Sequence, residues 1–316
     1  MEKLPACFPV CTLDKHSAEI AKKELNDDPQ QRESAIQTFR DWIEQQKWLK
    51  CPTDDFYILG ILRARKFSQL RARTLLENLW SVMTKKPEWY VGNDPEDPIQ
   101  KKVLMDGSSF MLPNRDAKGR RILFFRASGI DTSAYTADEL NKATIMLYDY
   151  LLMDEVTQVN GIIVVVDLAD SSPKDITYLG FSGIKTQAES FQKSLPFRLK
   201  AIHVYRGGVL IDTVWPLIKP LWSEKLRNRM HNHGSSLDQL YEHIDMSLLP
   251  QEYLPDDSIH KSPITIQDCI DYTVQELSRN DFKDYCYKVH SGLYGIDWKL
   301  KDDNVLQESF RKLHTS

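Results

Sequence analysis

The feature that most constrains the fold is a run of five β-branched residues, Ile162 to Val166, which ends at Asp167. The dipeptide Asn160-Gly161 before it has the composition of a turn. Because an uninterrupted apolar run offers no side to water, it predicts a strand covered on both faces, as in the centre of a parallel sheet. It is also the longest apolar run of the chain, far short of the ~20 residues of a membrane-spanning helix.

Strands and helices alternate around this run. One strand is predicted over Arg121 to Arg126 and another over Ile202 to Tyr205. Helices are predicted from Thr136 to about Val156, where acidic residues occupy the first turn, and over most of Ile176 to Ser194. Because strands that alternate with helices are joined by crossover connections, the sequence predicts an α/β domain with a mostly parallel sheet.

The residues before this domain have a different character. The polar cluster Thr53-Asp54-Asp55 suits the start of an apolar helix, and other stretches before residue 90 show helical spacing of apolar side chains. A turn-rich segment, Gly92 to Pro98, then suits a domain boundary. We therefore expect a helical N-terminal module over residues 10–95, the α/β domain over 96–260 and a helical C-terminal extension over 261–316.

A segment that is both apolar and basic, Leu195 to Gly234, includes the predicted strand Ile202 to Tyr205 and a helix after it. At about 100° per residue, the apolar side chains of this helix form a wide inner stripe with a shoulder beside it. The stripe comprises Leu210, Val214, Leu217, Ile218 and Leu221, and the shoulder comprises Ile211, Trp215 and Trp222. Together they cover about half of the circumference, which is more than one core contact usually needs.

Two explanations fit this helix: an ordinary buried helix, or one that contacts a membrane. Basic residues on both sides of the tryptophans favour the membrane, because tryptophan rings suit the headgroup level and cations meet anionic lipid there. Pro216 and Pro220 remove two backbone donors, which predicts a kinked or split helix. Gly207-Gly208 just before it predicts a hinge.

Composition and motifs argue against nucleic acid binding and against catalysis. A net charge of -4 leaves no broad basic excess. Five cysteines without a secretory signal predict reduced thiols in the cytosol. Dinucleotide and P-loop glycine motifs are missing from the sequence, and Gly180-Phe181-Ser182-Gly183 lacks the spacing of a hydrolase elbow.

Two polar pairs lie at predicted strand ends. His231 and His233 could ligate a metal, but no further ligands accompany them, so packed or surface histidines are the favoured interpretation. Asp167 and Asp170 follow the central strand, where α/β proteins often place functional groups, although a helix cap or a salt bridge explains them equally well. The sequence therefore predicts no enzyme, no cofactor and no metal.

Several segments together resemble one known family. Asp54 to Leu62, with the basic run Arg63 to Phe67, is similar to the helical N-terminal module of CRAL-TRIO proteins. Other segments are similar to the lipid-binding domain of that family: Gly161 to Asp167, Leu195 to His203, Ile218 to Leu221, Glu224 to Leu226, His233-Gly234 and Leu248 to Tyr253. They cover most of the chain in the expected order, and the resemblance is nearest to the branch that binds tocopherol and retinaldehyde.

The resemblance implies a helical bundle on an α/β lipid-binding domain. It implies a cytoplasmic, transiently membrane-associated monomer that encloses one tocopherol-like or retinoid-like molecule, releases it at phosphoinositide-containing membranes and catalyses no reaction. The helix from Val209 to Trp222 would be the gate over the ligand. The ligand-binding positions carried over are Phe125, Asn141, Thr144, Ile145, Tyr148, Ile162, Val164, Val166, Leu179, Phe191, Ile202, Val204, Leu210, Val214, Ile218 and Leu221.

The resemblance also implies two sets of membrane-binding residues. A basic patch for phosphoinositide headgroups would comprise Arg63, Arg65, Arg198, Lys200, Lys219, Lys225 and Arg229. Such residues suit phosphate, because arginine chelates its oxygens and lysine adds a point charge. The residues that would insert into the membrane are Ile211, Trp215 and Trp222.

The chain departs from the family pattern in places that bear on the ligand. Ala169-Asp170, Arg206-Gly207-Gly208 and Pro216 stand where the family usually has other residues. Thr144 and Tyr148 stand where tocopherol-binding members have serines, and the tyrosine would reshape the pocket. Two alternatives therefore remain: a phosphatidylinositol or phospholipid exchange protein of the same fold, and a non-transfer adaptor that binds a protein partner.

Overall fold

The structure, a computed structural model, describes residues 13–257 and 259–302, without the side chains of Pro173, Val209 and Leu210. Its first part is helical, as predicted. The helices are α1 (Lys15–Leu25), α2 (Pro29–Gln45), α3 (Asp55–Ala64), α4 (Gln69–Lys85) and α5 (Pro87–Tyr90). Helix α3 is apolar on nearly every side and is buried from Phe56 to Arg63, so it forms the centre of this bundle.

Two very short strands join the N-terminal helices to the C-terminal extension. Strand β1 (Leu49–Lys50) pairs antiparallel with β7 (Gly295–Ile296). Just beyond β7, Lys301 forms an ion pair with Glu77 of α4. The C-terminal extension therefore packs on the N-terminal helices, a contact that the sequence did not predict because two-residue strands have no detectable periodicity.

The central sheet has five strands in the order β2-β3-β4-β5-β6. They are β2 (Ser109–Met111), β3 (Arg121–Arg126), β4 (Ile162–Asp167), β5 (Leu199–Tyr205) and β6 (Met230–Asn232). Strand β2 is antiparallel to β3, and every other pairing is parallel. The predicted mostly parallel sheet is thus confirmed, with the β-branched strand at its centre. Strand β5 begins three residues earlier than predicted, at Leu199, because the charged Lys200 interrupts the apolar pattern of its first residues.

The remaining helices surround this sheet. They are α6 (Pro98–Met105), α7 (Ala137–Met153), α8 (Glu155–Asn160), α9 (Pro173–Leu179), α10 (Phe181–Lys193), α11 (Gly208–Ile218), α12 (Glu224–Arg227), α13 (Asp238–Tyr241), α14 (Ile266–Leu277) and α15 (Asn280–Val289). Thr136 and Glu139 form the capping box that starts α7. Two predicted helices are each split, one by Asp154, which caps α8, and one by Gly180 in the left-handed conformation (φ +68°).

The two faces of the sheet are packed differently. Ile163 and Val165 face a core that contains Phe110, Phe124 and Tyr253. The alternate residues of β4, with Ile202 and Val204 of β5, face α7, α9, α10 and α11. This alternation follows from the two-residue period of a strand, and it positions the candidate site on one face only.

Candidate ligand cavity and gate

A cavity lies between the sheet and the helices α7, α9, α10 and α11. Its inner lobe, of about 340 Å³, is bounded by Asn141, Thr144 and Tyr148 of α7 and by the strands β3 to β5. An adjoining gate lobe, of about 230 Å³, lies beneath Ile211, Val214 and Ile218 of α11. The two lobes share wall residues on β4, β5, α9 and α10, so that one elongated molecule could occupy both.

The inner lobe carries a few hydrogen-bonding groups on one side of α7. Gln187 of α10 donates a hydrogen bond to the amide oxygen of Asn141. The Thr144 hydroxyl donates to the Leu140 carbonyl at 3.0 Å, which leaves its lone pairs available. The Tyr148 hydroxyl has no hydrogen-bond partner among the described residues, and burial raises its pKa. These groups are neutral, so they suit a small neutral polar group on an otherwise apolar ligand.

Arg206, two residues before the start of α11, is anchored to the sheet. Arg206 has φ +54°, a conformation that costs a non-glycine residue roughly 1–2 kcal/mol. Its Nε and Nη2 donate to the two carboxylate oxygens of Asp167 at 3.0 and 2.5 Å. Asp167 is buried at the end of β4 and also accepts a 2.8 Å hydrogen bond from the Tyr253 hydroxyl. The ion pair therefore holds the entry to α11 against the central strand.

The two glycines that follow have separate functions. A Cβ at Gly207 would lie 2.7 Å from Cγ2 of Ile211, so the first turn of α11 packs against bare backbone. Gly208 has φ +43° and open space around it. Helix α11 continues through Pro216 to Ile218, and a 3-10 turn, Lys219–Leu221, follows. The predicted split of the gate therefore occurs at Lys219, close to the second proline.

A group of basic residues lies near the gate, where β5, α12 and the end of α3 meet α1. We call it the basic cluster; its members are Lys66, Arg198, Lys200, Lys225 and Arg229. Glu24 of α1 pairs with Arg198 (2.5 Å) and with Lys200 (3.8 Å). The guanidinium of Arg229 lowers the pKa of Lys225, which indicates that positive charge is concentrated there.

Comparison with known proteins identifies the family. Residues 105–253 match the model of the CRAL/TRIO domain. Clavesin-1 of Xenopus laevis is 32% identical over 242 residues, which are 76% of this chain and 73% of that protein. The human alpha-tocopherol transfer protein-like protein is 33% identical over 245 residues, or 77% of this chain and 71% of its own. This chain belongs to the CRAL/TRIO family.

Membership of the CRAL/TRIO family confirms the predicted resemblance and supports a protein that binds lipid. Among solved structures, that of Sfh5 covers 83% of this CRAL/TRIO chain and 97% of its own, with a TM-score of 0.45 and 13% identity. None of the helices within the described ranges has the length and apolarity needed to cross a membrane.

Most of the predicted ligand-binding residues lie at the CRAL/TRIO cavity. Those on the wall of the inner lobe are Phe125, Asn141, Thr144, Tyr148, Val164, Val166, Leu179, Phe191, Ile202 and Ile218. The gate lobe adds Val204 and Val214. The two-residue period of β4 and the helical period of α7 together account for this agreement.

Three predicted ligand-binding residues lie elsewhere. Ile145 is one helical step from Thr144 and faces a separate hollow beside Leu79 and Trp80 of α4. Ile162 is buried at the start of β4, the end away from the cavity. Leu221 is half-buried on the 3-10 turn and does not line either lobe. The side chain of Leu210, which was also predicted to bind the ligand, lies outside the described part of the structure.

The gate is rotated relative to the prediction. Ile211, assigned to the membrane-facing shoulder, lines the gate lobe, whereas Leu217, assigned to the inner stripe, is 46% exposed. Trp222 is buried, lines both lobes and donates from its indole to the Ala188 carbonyl at 2.8 Å. Trp215 is half-buried and meets the Trp222 ring edge-on. In this conformation the predicted insertion residues therefore face inward or pack on each other, because the inward face of α11 is centred on Ile211, Val214 and Ile218 and not on Leu217.

Three predicted basic residues lie outside the basic cluster. Arg63 is fully buried and donates to Asp27 (2.8 Å) and Glu155 (2.7 Å), so it holds helices together and cannot reach a headgroup. Arg65 is half-buried and donates to the neighbouring Ala64 carbonyl, and burial lowers its pKa. Lys219 is exposed on the 3-10 turn of the gate.

Several residues of the site were not predicted. Lys66 belongs to the basic cluster, and Glu24 provides its carboxylate, although neither is near the other cluster members in sequence. Phe181, at the start of α10, the helix that borders both lobes, is a large apolar side chain that is 53% exposed. In the sequence, Arg206 is visible only as a departure from the family pattern. Its one signal there is that a charged residue directly precedes two glycines, and this does not reveal its contact with Asp167.

Proposed function

We propose that this CRAL/TRIO protein encloses one mainly apolar lipid and releases it at membranes that expose anionic headgroups. The observation that carries the proposal is the cavity itself, because its gate lobe is covered by the aliphatic residues Ile211, Val214 and Ile218. A void with such walls gains stability when hydrocarbon fills it. Helix α11 closes this lobe, and the chain just before α11 is anchored to the sheet by Arg206. This arrangement supports uptake and release of the lipid through movement of α11.

The walls of the inner lobe favour a ligand with one small neutral polar group, such as a tocopherol or a retinoid. Asn141, Thr144 and Tyr148 offer amide and hydroxyl groups. A phospholipid would bring a phosphate, which needs cations. Among the described wall residues the one basic side chain is Arg126, whose Nη2 donates to the exposed Ser128 hydroxyl.

Release has to overcome a large free energy of burial. A ligand that buries roughly 400 Å² of apolar surface is stabilised by about 10 kcal/mol relative to water. Spontaneous loss into water is therefore slow, and a membrane must supply both an apolar destination and a force that favours the open gate. The exposed Leu217 and Phe181 could enter the bilayer interface beside the gate.

The basic cluster supports recognition of phosphoinositide headgroups. Phosphate oxygens could replace the Glu24 carboxylate as partner of Arg198 and Lys200, while Lys225 and Arg229 add positive charge from the segment that follows the gate. The negative surface potential of an anionic membrane stabilises each lysine or arginine near the surface by about 1 kcal/mol. Headgroup binding at this place would thus act on the chain that connects α11 to β6.

A transfer assay tests both parts of the proposal. The protein is loaded with fluorescently labelled α-tocopherol and mixed with vesicles that contain phosphatidylinositol bisphosphate. We expect Lys225→Glu with Arg229→Glu to slow transfer about tenfold or more while binding of the labelled tocopherol is retained, because about 1 kcal/mol per charge is lost and then reversed.

The matched control is Lys261→Glu with Lys299→Glu, which changes the net charge equally at exposed positions outside the cluster. Transfer at the normal rate by the cluster variant would overturn the headgroup assignment. Preference for labelled phosphatidylinositol over labelled tocopherol would instead favour a phospholipid exchange protein.

A further inference from the structure

Four of the eight histidines of the chain form one cluster on the sheet face opposite the cavity. We call it the histidine cluster: His203 of β5, His231 of β6, and His233 and His243 after β6 and α13. Nδ1 of His203 lies 2.9 Å from Nε2 of His233. The His231 and His243 rings lie within 5.1 Å of the His203 ring, centroid to centroid.

The histidine cluster is built to be neutral. His203 is 1% exposed, and its contact with His233 needs one ring nitrogen to donate and the other to accept. The His203 and His233 rings meet edge to edge through this contact, with their planes 12° apart, so two of the ring nitrogens are directed at each other, and the His231 ring stacks on His203. In agreement with this, no group of ligands suited to a metal ion occurs in residues 13–257 and 259–302.

The position of the cluster connects it to the gate. The whole segment between β5 and β6, including α11 and the 3-10 turn, starts and ends at this pair of strands. His203 lies opposite His231 in the β5–β6 ladder. The strand neighbours of these histidines, Ile202, Val204 and Met230, point the other way and line the gate lobe. A change in the histidine cluster therefore acts on the wall of the cavity and on both ends of the gate.

Strand β6 depends on few other contacts. It is a three-residue edge strand, and β5 is its only neighbour in the described sheet. Hydrogen bonds at its two ends, from the Ile202 amide to Arg229 and from the His233 amide to Val204, complete the ladder. Repulsion between charged imidazoles would therefore act on a weakly held element.

We propose that the histidine cluster is a proton-operated lock: when neutral it holds β6 against β5 and keeps the gate closed, and when protonated it releases both. The lock extends the proposed carrier function, on which its benefit for ligand release rests. One shared proton is tolerated between His203 and His233, but a second charge on the half-buried His231 or the exposed His243 places like charges about 5 Å apart.

The charged and polar groups around the histidine cluster act on its protonation in both directions. Arg120, on the turn before β3, adds positive potential at His203, although it also pairs with Asp116. From the chain around α13, Gln239 and Glu242 face His233 and favour its charged form. Burial, and then the neighbouring imidazoles, lower the pKa of His203 to about 3. Burial first, then the other imidazoles, likewise lowers the pKa of His231, and burial lowers that of His233.

The direction of the pH dependence follows from these pKa shifts. Because the folded pKa values lie below the unfolded value of about 6.5, the closed state is stabilised above about pH 6.5 and loses that stability as the pH falls. Each additional proton taken up by the open state changes the open-to-closed ratio about tenfold per pH unit. A surface potential of roughly −30 mV lowers the pH at an anionic membrane by about half a unit, so the membrane itself contributes.

The test compares His231→Asn with His243→Asn, which leaves one histidine pair in the cluster, and His16→Asn with His260→Asn as a matched control outside it. Dissociation of labelled α-tocopherol is measured at about pH 7.4 and about pH 5.5. We expect wild type and the control to release about tenfold faster at the lower pH, and the cluster variant about twofold or less. Equal acceleration in the cluster variant would overturn the lock.

A second measurement does not depend on the ligand. Hydrogen exchange of the unloaded wild-type protein, corrected for the intrinsic effect of pH, should show protection of residues 199–205 and 230–234 falling about tenfold between the two pH values. Unchanged protection would refute the lock even if the carrier function holds. Failure to bind any labelled lipid at neutral pH would refute the carrier function while exchange still tests the lock.

Discussion

The two faces of the central sheet are built from the same strands, yet one is filled and the other encloses a void. On β3, Phe124 stacks on Phe110 at 5.2 Å and packs on Tyr253 at 4.9 Å, whereas its neighbour Phe125 lies on the wall of the inner lobe. A void forgoes dispersion contacts that a packed core would have. Its retention on one face therefore indicates that a ligand, rather than protein, completes the packing there.

The largest effect should separate the two neighbouring phenylalanines. Phe124→Ala is expected to lower the free energy of unfolding by about 3–5 kcal/mol, because it removes a fully buried ring and leaves a cavity. Phe125→Ala should cost about 1–2 kcal/mol, since part of that ring already faces empty space. Urea denaturation of the unloaded proteins measures both, and equal losses would contradict a difference between the faces.

The sequence predicted the faces of the sheet better than the orientation of the gate. Alternation along β4 depends on local geometry alone, so Val164 and Val166 were assigned correctly to one side. The orientation of α11 depends on the Arg206 anchor, on the bare backbone of Gly207 and on the 3-10 turn at Lys219, which are tertiary features. Helical periodicity alone could not show that Leu217 faces outward and Ile211 inward.

Charged residues show the same limit. Arg63 and Arg198 are indistinguishable by residue type, but Arg63 pairs with two buried carboxylates, one in the α1–α2 loop and one on α8, whereas Arg198 pairs with an exposed one. Burial and partners separated by tens of residues decide between structural and binding functions. Likewise, His231 and His233 were visible as a motif, but their two cluster partners come from other parts of the chain.

An intermediate effect should follow from adding volume to each face of β4. Val165→Phe is expected to destabilise by about 1–3 kcal/mol, because it overpacks the filled core. Val166→Phe should cost less stability but lower the affinity for labelled α-tocopherol about tenfold or more, since the ring would occupy space shared by both lobes. Unchanged affinity for the Val166 variant would show that the ligand does not occupy this void.

The smallest expected effect concerns the contact that joins the two faces. Asp167 accepts from Arg206 on the gate side and from Tyr253 on the filled side. Arg206→Gln should lower stability by only about 1 kcal/mol, as the Arg206 side chain is 43% exposed, but should raise the dissociation rate of labelled tocopherol several-fold. Arg279→Gln, which removes an ion pair of similar exposure between α14 and α15, is the matched control, and equal rates for the two variants would argue against an anchored hinge.

The central claim, that a lipid completes the packing of the cavity face, is tested most directly by native mass spectrometry with organic extraction of the purified protein. We expect one neutral, mainly apolar lipid per chain, whose loss is accelerated by opening of the gate. A protein that carries no lipid, and that takes none up from added tocopherol, retinoid or phosphatidylinositol, would contradict the account.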